Sequence, residues 1–268
     1  MSANALCRTL ATVLLALTTA CSTPAPPPPH VAMAPAQDPV VLAEFHRLRA
    51  LFAEQVPSPA PVGNDQAWAA AARAELDQAA IILDRPQLVV VVDRAPTAQD
   101  LRIVLADPAG PWRMVGVGKV STGQCERRGY FITPTGVFQH TDGILDYRAE
   151  GTPNESGIRG LGIKGMRVWD FGWQMAEPGW GTDRAPREIR LQVHATDPAY
   201  LEQRLGRPAS KGCIRVSTAM NRFLDIHGVL DADYKRAAPT DPRIAAVLLP
   251  ERTPTRLAGT LLIVIESR

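Results

Sequence analysis

Cysteine is scarce in this chain, with four among 268 residues, and no two of them form a CxxC pair. The five histidines are scattered, so there is no grouping of the kind that holds zinc, and a disulfide framework is equally excluded. Charge of one sign is also missing. Twenty-nine Lys and Arg face 27 Asp and Glu, for a net charge of +2, and no basic cluster stands out as a footprint for nucleic acid. There are no internal repeats, and no apolar run is long enough to span a bilayer as a mature helix. What remains is an ordinary globular composition, 46% hydrophobic, sized for one good domain with appendages.

The longest apolar run, Leu10 to Leu17, is broken only by Thr12 and follows a single charge, Arg8. Its length suits a secretory signal, expected over residues 1–20. It ends Leu17-Thr18-Thr19-Ala20-Cys21, and small residues ahead of a cysteine resemble the bacterial lipobox. Cys21 would then carry lipid, anchoring the protein by burial at about 0.8 kcal/mol per CH₂. An ordinary signal with a chance cysteine is the alternative. Ser22, rather than aspartate, after the lipidated position points to the outer membrane, with the protein facing the periplasm. Cys7 would leave with the signal, so Cys125 and Cys213 are the two thiols of the mature domain, and an exported pair of this kind can form a disulfide.

Twenty-four prolines are many, and they gather near the start: Pro24, Pro26 to Pro29, Pro35 and Pro39 mark residues 21–39 as an extended tether. A helical segment is expected over 40–85. Val41, Leu42, Phe45, Leu48, Leu51 and Phe52 recur near a 3.6-residue period in Val40 to Gln55. An alanine-rich helix, Gln66 to Leu83, follows with Asn64 or Asp65 as its cap. This segment would brace the domain, dimerise or bind a partner.

From Pro86 the pattern turns to strands. Leu88 to Val92 is a continuous β-branched run, as in a strand buried on both faces. Leu101 to Ala106, Trp112 to Val120, Tyr130 to Phe138 (interrupted at Thr133-Pro134-Thr135-Gly136) and Thr260 to Glu266 are further strands. Glu188 to His194 alternates Ile189, Leu191 and Val193 with polar neighbours, so it is half buried. Asp197 is expected to cap a short helix through Leu205, and Ser217 or Thr218 one through Ile226. Many short strands and few helices predict a mainly β, sandwich-like body over 86–268.

The chemistry concentrates in His194-Ala195-Thr196 and in Ser210-Lys211-Gly212-Cys213-Ile214-Arg215. Nucleophilic cysteine catalysis needs a thiolate, a base to take its proton, and donors for an oxyanion. Imidazole titrates in the right range. Gly212 lets backbone approach a substrate carbonyl, and the positive charges of Lys211 and Arg215 favour a thiolate at Cys213. Taken singly, a cysteine is more often a small core residue, and a histidine more often structural.

Together, His-x-Thr, a spacer and Ser-x-Gly-Cys-Ile-Arg resemble the L,D-transpeptidase (YkuD-type) catalytic domain. Val120-Ser121-Thr122-Gly123 and Thr133-Pro134-Thr135-Gly136 resemble that family's S-T-G and T-P-T-G segments, in the same order. The resemblance covers residues 86 to 230. It implies a β-sandwich with a catalytic cysteine loop, Cys213 as nucleophile, His194 as base, and Ser210, Gly212 and Arg215 as supporting, oxyanion or substrate-binding residues. It implies no metal and no cofactor. The implied substrate is the peptidoglycan stem peptide: the thiolate attacks the L-centre carbonyl at position three and releases D-alanine. The acyl group passes to an amine, giving a 3→3 crosslink or an attached acceptor protein, or to water. Inactivation by carbapenems is a further family trait.

Lys211 stands where the family usually has a second histidine. A charged lysine is no hydrogen-bond acceptor, but as a cation it can favour thiolate or attract a carboxylate. The rival readings are a hydrolase of the same domain and a non-catalytic peptidoglycan-binding lipoprotein. Gly160 to Gly165 and Trp169 to Trp173 would either wall the substrate groove or, for Trp169, Phe171 and Trp173, line one core-facing side of a strand. His140 reads as a solvated loop residue, and His30, His46 and His227 lack catalytic context. Cys125, between the two upstream segments, would form a redox gate if it reached Cys213.

Overall fold

The computed structural model describes residues 38–57 and 65–267. The expected signal 1–20, Cys21, His30, nearly all of the tether and the Asn64 or Asp65 cap fall outside the described residues or side chains. Helix α1 spans Pro39–Gln55. Asp38 caps it by accepting the Val40 N–H at 2.8 Å, and Pro39 fits a first turn that needs no N–H. Helix α2, Asp65–Gln78, is shorter than its periodicity predicts. The chain leaves it through Ala80 at φ 53°, and Ile81 N–H bonds back to Leu76 O at 2.9 Å, a left-handed helix end.

Nine strands follow: β1 Gln87–Asp93, β2 Asp100–Ala106, β3 Arg113–Lys119, β4 Gly136–Gln139, β5 Tyr147–Arg148, β6 Arg167–Ala176, β7 Arg187–Ala195, β8 Ile214–Val216 and β9 Leu261–Ile265. Helices α3 Thr218–Ile226, α4 Ala232–Ala237 and α5 Pro242–Val247 lie between β8 and β9. One sheet has the order β3-β2-β1-β9-β4, with β1 and β9 parallel; the other runs β5-β6-β7-β8, with β7 and β8 parallel. The architecture is therefore mixed α/β rather than mainly β, with two sheets as expected and more helix. Among the described residues no helix is long and apolar enough to cross a membrane.

The β1 run is buried throughout because both its faces are covered. Leu88, Val90 and Val92 join a core with Leu101, Ile103, Leu262 and Val264 of their own sheet and Trp169, Leu191, Val193, Ile214 and Val216 of the other. Val89 and Val91 join the second cluster, with Trp68, Ala72 and Leu76 of α2. Each such side chain contributes roughly 1.5–3 kcal/mol by leaving water. Helix α1 adds Phe45, Leu48 and Phe52 to the main core. Phe52 meets Phe223 of α3 edge-on at 5.0 Å and lies over Gly116, where a Cβ would fall 2.1 Å from its ring.

Two expectations give way to polar chemistry. Tyr130 to Phe138 forms a strand only at β4, because Phe131 N–H is drawn to Lys211 O (3.3 Å) and Pro134 has no donor. Asp197 caps no helix through Leu205; only the 3₁₀ turn Glu202–Arg204 forms there. Its buried carboxylate instead accepts the N–H groups of Ala199 and Tyr200 on one oxygen and of Arg159 on the other.

A second buried group is ionic. Arg167, fully buried, donates to Asp146 (2.9 Å), Asp231 (2.9 Å) and Asp225 (3.4 Å). Arg148 pairs with Asp225 at 2.8 Å and Arg252 with Asp231 at 2.5 Å. His140 is no solvated loop residue. It is 0% exposed, stacks on Tyr234, and bonds Leu230 O and Asp146 Oδ2, each at 2.9 Å. Asp146 also accepts the Asp170 N–H at 2.9 Å, which ties this network to the middle of β6.

Candidate active site

Alternation along β7 separates its two faces. Leu191 and Val193 enter the core, so Arg190, Gln192 and His194 share the other face. On the neighbouring parallel strand β8, Ile214 and Val216 are core residues and Arg215 stands opposite His194 in register. Cys213 immediately precedes β8, where the chain parts from β7. Its thiol lies along the β7 edge, Sγ–H donating to Arg190 O at 3.5 Å. The Gln192 N–H lies on the same sulfur and favours its thiolate.

Three sequence segments build the loop that carries Cys213. Ser210 Oγ accepts the Gly212 N–H at 3.0 Å and donates to Cys213 O at 2.5 Å, closing the turn on both sides of the thiol. Ser210 is 1% exposed, so it braces the loop from inside. Thr133, from T-P-T-G, donates its hydroxyl to Gly212 O (2.7 Å) and accepts the Gly123 N–H (2.8 Å) from S-T-G. Thr122 O accepts the N–H groups of Ala209 and Ser210, and Ser121 exchanges both backbone hydrogen bonds with Arg215. Glycine is required at two of these crossings. A Cβ on Gly123 would fall 1.9 Å from Phe131 O, and Gly212 sits at φ 134° with Ile189 2.8 Å from its Cβ position.

Electrostatics set the protonation states. His194 is 4% exposed, and burial pushes its pKa down to about 4; the Ala195 carbonyl pulls the other way and Arg215 adds to the depression. Its Nδ1 lies 2.6 Å from Ala195 O, which can only accept, so Nδ1 carries the proton and Nε2 keeps its lone pair. Burial also raises the Cys213 thiol, against the Gln192 N–H and Arg215, which both favour thiolate. At neutral pH Cys213 rests as a thiol and His194 as a neutral imidazole, with Arg215 the charge that acts on both. Arg215 donates to Ala209 O at 3.1 Å, which fixes its charge next to both groups. Lys211 is exposed, its Nζ 5.9 Å from the centroid of the Tyr130 ring.

A family model, the L,D-transpeptidase catalytic domain YkuD, matches residues 87–229. That is more than half of the chain. The chain belongs to the YkuD family. No curated protein matches it. Among solved structures it is weakly similar to a fused Zn-dependent amidase/peptidase/peptidoglycan-binding domain-containing protein from Clostridium acetobutylicum ATCC 824. Identity is 14% and the TM-score 0.27, over 78% of this chain, which spans only 65% of that one. Membership of the YkuD family makes cysteine-based L,D-transpeptidation of peptidoglycan the activity that the domain suggests.

The YkuD match encloses His194, Ser210, Lys211, Gly212, Cys213 and Arg215, and the fold brings all six to the β7–β8 junction. The aromatic wall divides. Trp169 and Phe171 are buried, whereas Trp173 is 61% exposed, because the register slips between Asp170 and Trp173 around Gly172 at φ 76°. This bulge reverses the alternation and pairs Trp173 with Arg190 on the His194 face. Of the glycine stretch, Gly162 packs directly on Ala195 beside His194. Cys125 and Cys213 are both free thiols, Cys125 exposed. Sequence reasoning missed Arg190, Gln192 and Asp170. The period-two pattern ending at His194 could have found the first two.

Proposed function

We propose that this chain is a cysteine L,D-transpeptidase acting on peptidoglycan stem peptides, with Cys213 as nucleophile and His194 as base. The observation that carries the reading is the junction of β7 and β8. A thiol lies along the edge of the strand whose face bears a neutral imidazole with an unprotonated Nε2. As Nε2 takes the thiol proton, sulfur attacks the position-three carbonyl carbon. The peptide C–N bond then breaks, the leaving D-alanine amine takes the proton from His194, and a thioester remains on Cys213. An incoming amine reverses these steps and forms a 3→3 crosslink or a protein attachment. The Cys213 backbone N–H, in the turn held by Ser210 and Gly212, supports the oxyanion. Arg215 stabilises thiolate, and Lys211 acts as an exposed cation facing the acceptor rather than as a base.

The anchoring reading accompanies this one: lipid on Cys21, a tether over 21–39, and a domain facing the periplasm from the outer membrane. Its support is the Thr19-Ala20-Cys21-Ser22 sequence and a substrate found in that compartment. The decisive experiment incubates reduced protein with a carbapenem and measures intact mass. A one-to-one adduct on the wild type and none on Cys213→Ala is expected. An unmodified, folded wild type would sink the acylating reading, and muropeptide products then separate crosslinking from hydrolysis.

A further inference from the structure

Arg190 stands out on the face shared with His194. Its Nε lies 2.9 Å from both carboxylate oxygens of Asp170. Asp170 is only 3% exposed and is held besides by Gln192 Nε2 (3.0 Å), by the Gly172 N–H (2.8 Å) and, through its own N–H, by Asp146. The guanidinium is thus aimed by a rigid, buried anion. Its two terminal nitrogens have no acceptor among the described residues, and its side chain is 41% exposed. It lies 5.6 Å from the ring centroid of Trp173, which the β6 bulge has turned outward. The backbone carbonyl of the same residue receives the Cys213 thiol.

An arginine held through Nε presents its other edge as a two-donor fork, the geometry that a carboxylate fits. A bare aromatic face beside it suits the apolar part of a peptide. We propose that Arg190 and Trp173 form a subsite that reads a free carboxylate of the acyl-donor peptide, within one residue of the carbonyl that Cys213 attacks. Two donor carboxylates satisfy that chemistry: a side-chain carboxylate at position three, and the terminal carboxylate of the departing D-alanine. The subsite rests on the stem-peptide reading above for its ligand, and Arg190 acts here by binding and orienting, not by proton transfer.

The test is a binding measurement, so it does not depend on turnover. Calorimetry on Cys213→Ala compares a stem tetrapeptide with two analogues, one amidated at the position-three side chain and one at the C-terminus. The free acid should bind about 10–100-fold tighter than one of the amides, and the amide that loses affinity identifies the carboxylate. In Cys213→Ala/Arg190→Gln the free acid should fall to the affinity of that amide. Cys213→Ala/Trp173→Ala, which leaves the Arg190–Asp170 pair intact, should weaken acid and amides alike. A preference that survives Arg190→Gln, equal binding of acid and both amides, or no binding of any peptide would each overturn the subsite. Failure of the enzymatic reading shows separately, as wild-type protein that takes up no carbapenem.

Discussion

Two histidines in this molecule are almost equally hidden, His140 at 0% and His194 at 4% exposure, yet their surroundings prepare them for opposite states. Both ring nitrogens of His140 face oxygens that only accept, Leu230 O and the Asp146 carboxylate, so both must carry hydrogen. Burial opposes that charge, but the Asp146 carboxylate outweighs it and lifts the pKa above the ordinary value. His194 has one accepting partner, Ala195 O, no carboxylate beside it, and Arg215 as its charged neighbour. It is held neutral, with one nitrogen open. Burial alone therefore does not distinguish a histidine held as a cation from one able to take up a proton; the number and charge of its acceptors do.

The largest expected effect separates the two directly. His194→Gln should slow carbapenem acylation by about 10²–10⁴-fold, the range lost with a general base. His140→Gln should change it by less than about tenfold, in proportion to the fraction folded. Time-resolved intact mass measures both, and equal losses would erase the distinction. Next is Arg167→Met, which strands Asp146, Asp225 and Asp231 as buried carboxylates without their shared cation. Urea unfolding should report a loss of about 3–5 kcal/mol. A loss under about 1 kcal/mol would mean that the ionic network does not hold the fold.

The pH dependence of stability should carry opposite signs for the two histidines. The folded pKa of His194, about 4, lies below its unfolded value near 6.5, so the unfolded chain binds the proton more readily. Its contribution is present above pH 6.5 and is lost as pH falls through 4, a change of about 3 kcal/mol. His140 is raised, so its contribution is complete below pH 6.5 and is lost as pH rises through its folded value. Urea midpoints between pH 4 and 8 test this by difference. His194→Gln should flatten the acid side and leave the alkaline side unchanged, and His140→Gln should do the reverse.

The same contrast marks what the sequence made readable. Cys213 and His194 stood out as candidates because their chemistry is local, a glycine before a thiol and a histidine ending an alternating strand, and because four motifs keep a familiar order. The inward strand β1 was legible from its apolar run. His140 was not, because its partners Asp146 and Leu230 are 6 and 90 residues away and only the fold unites them. Helices α4 and α5, at six residues each, are too short to show a helical period. Strand β8 is three residues between a loop and a helix, and its place is set by pairing with β7 rather than by propensity. Thr133 appeared as part of a motif, but its role as the hydroxyl joining Gly123 to Gly212 is purely spatial.

Trp173 shows how a single residue can defeat a pattern. Trp169, Phe171 and Trp173 alternate in sequence, and alternation alone puts them on one face. The structure inserts Gly172 as the extra residue of a bulge, at a backbone angle that L side chains rarely adopt, and the face changes between Phe171 and Trp173. Gly172→Ala tests this at modest cost. The positive φ, and the contact of a Cβ with Ile144 at 3.0 Å, should lower stability by about 1 kcal/mol while carbapenem acylation stays within about threefold. Deleting Gly172 is the sharper variant, since it restores strict alternation. Trp173, now directly after the core residue Phe171, should then stay opposite Arg190, and its quenching by acrylamide should be unchanged. If quenching falls, the residue count along β6 is not what sets the face of Trp173. The pairing of Trp173 with Arg190 would then need another cause.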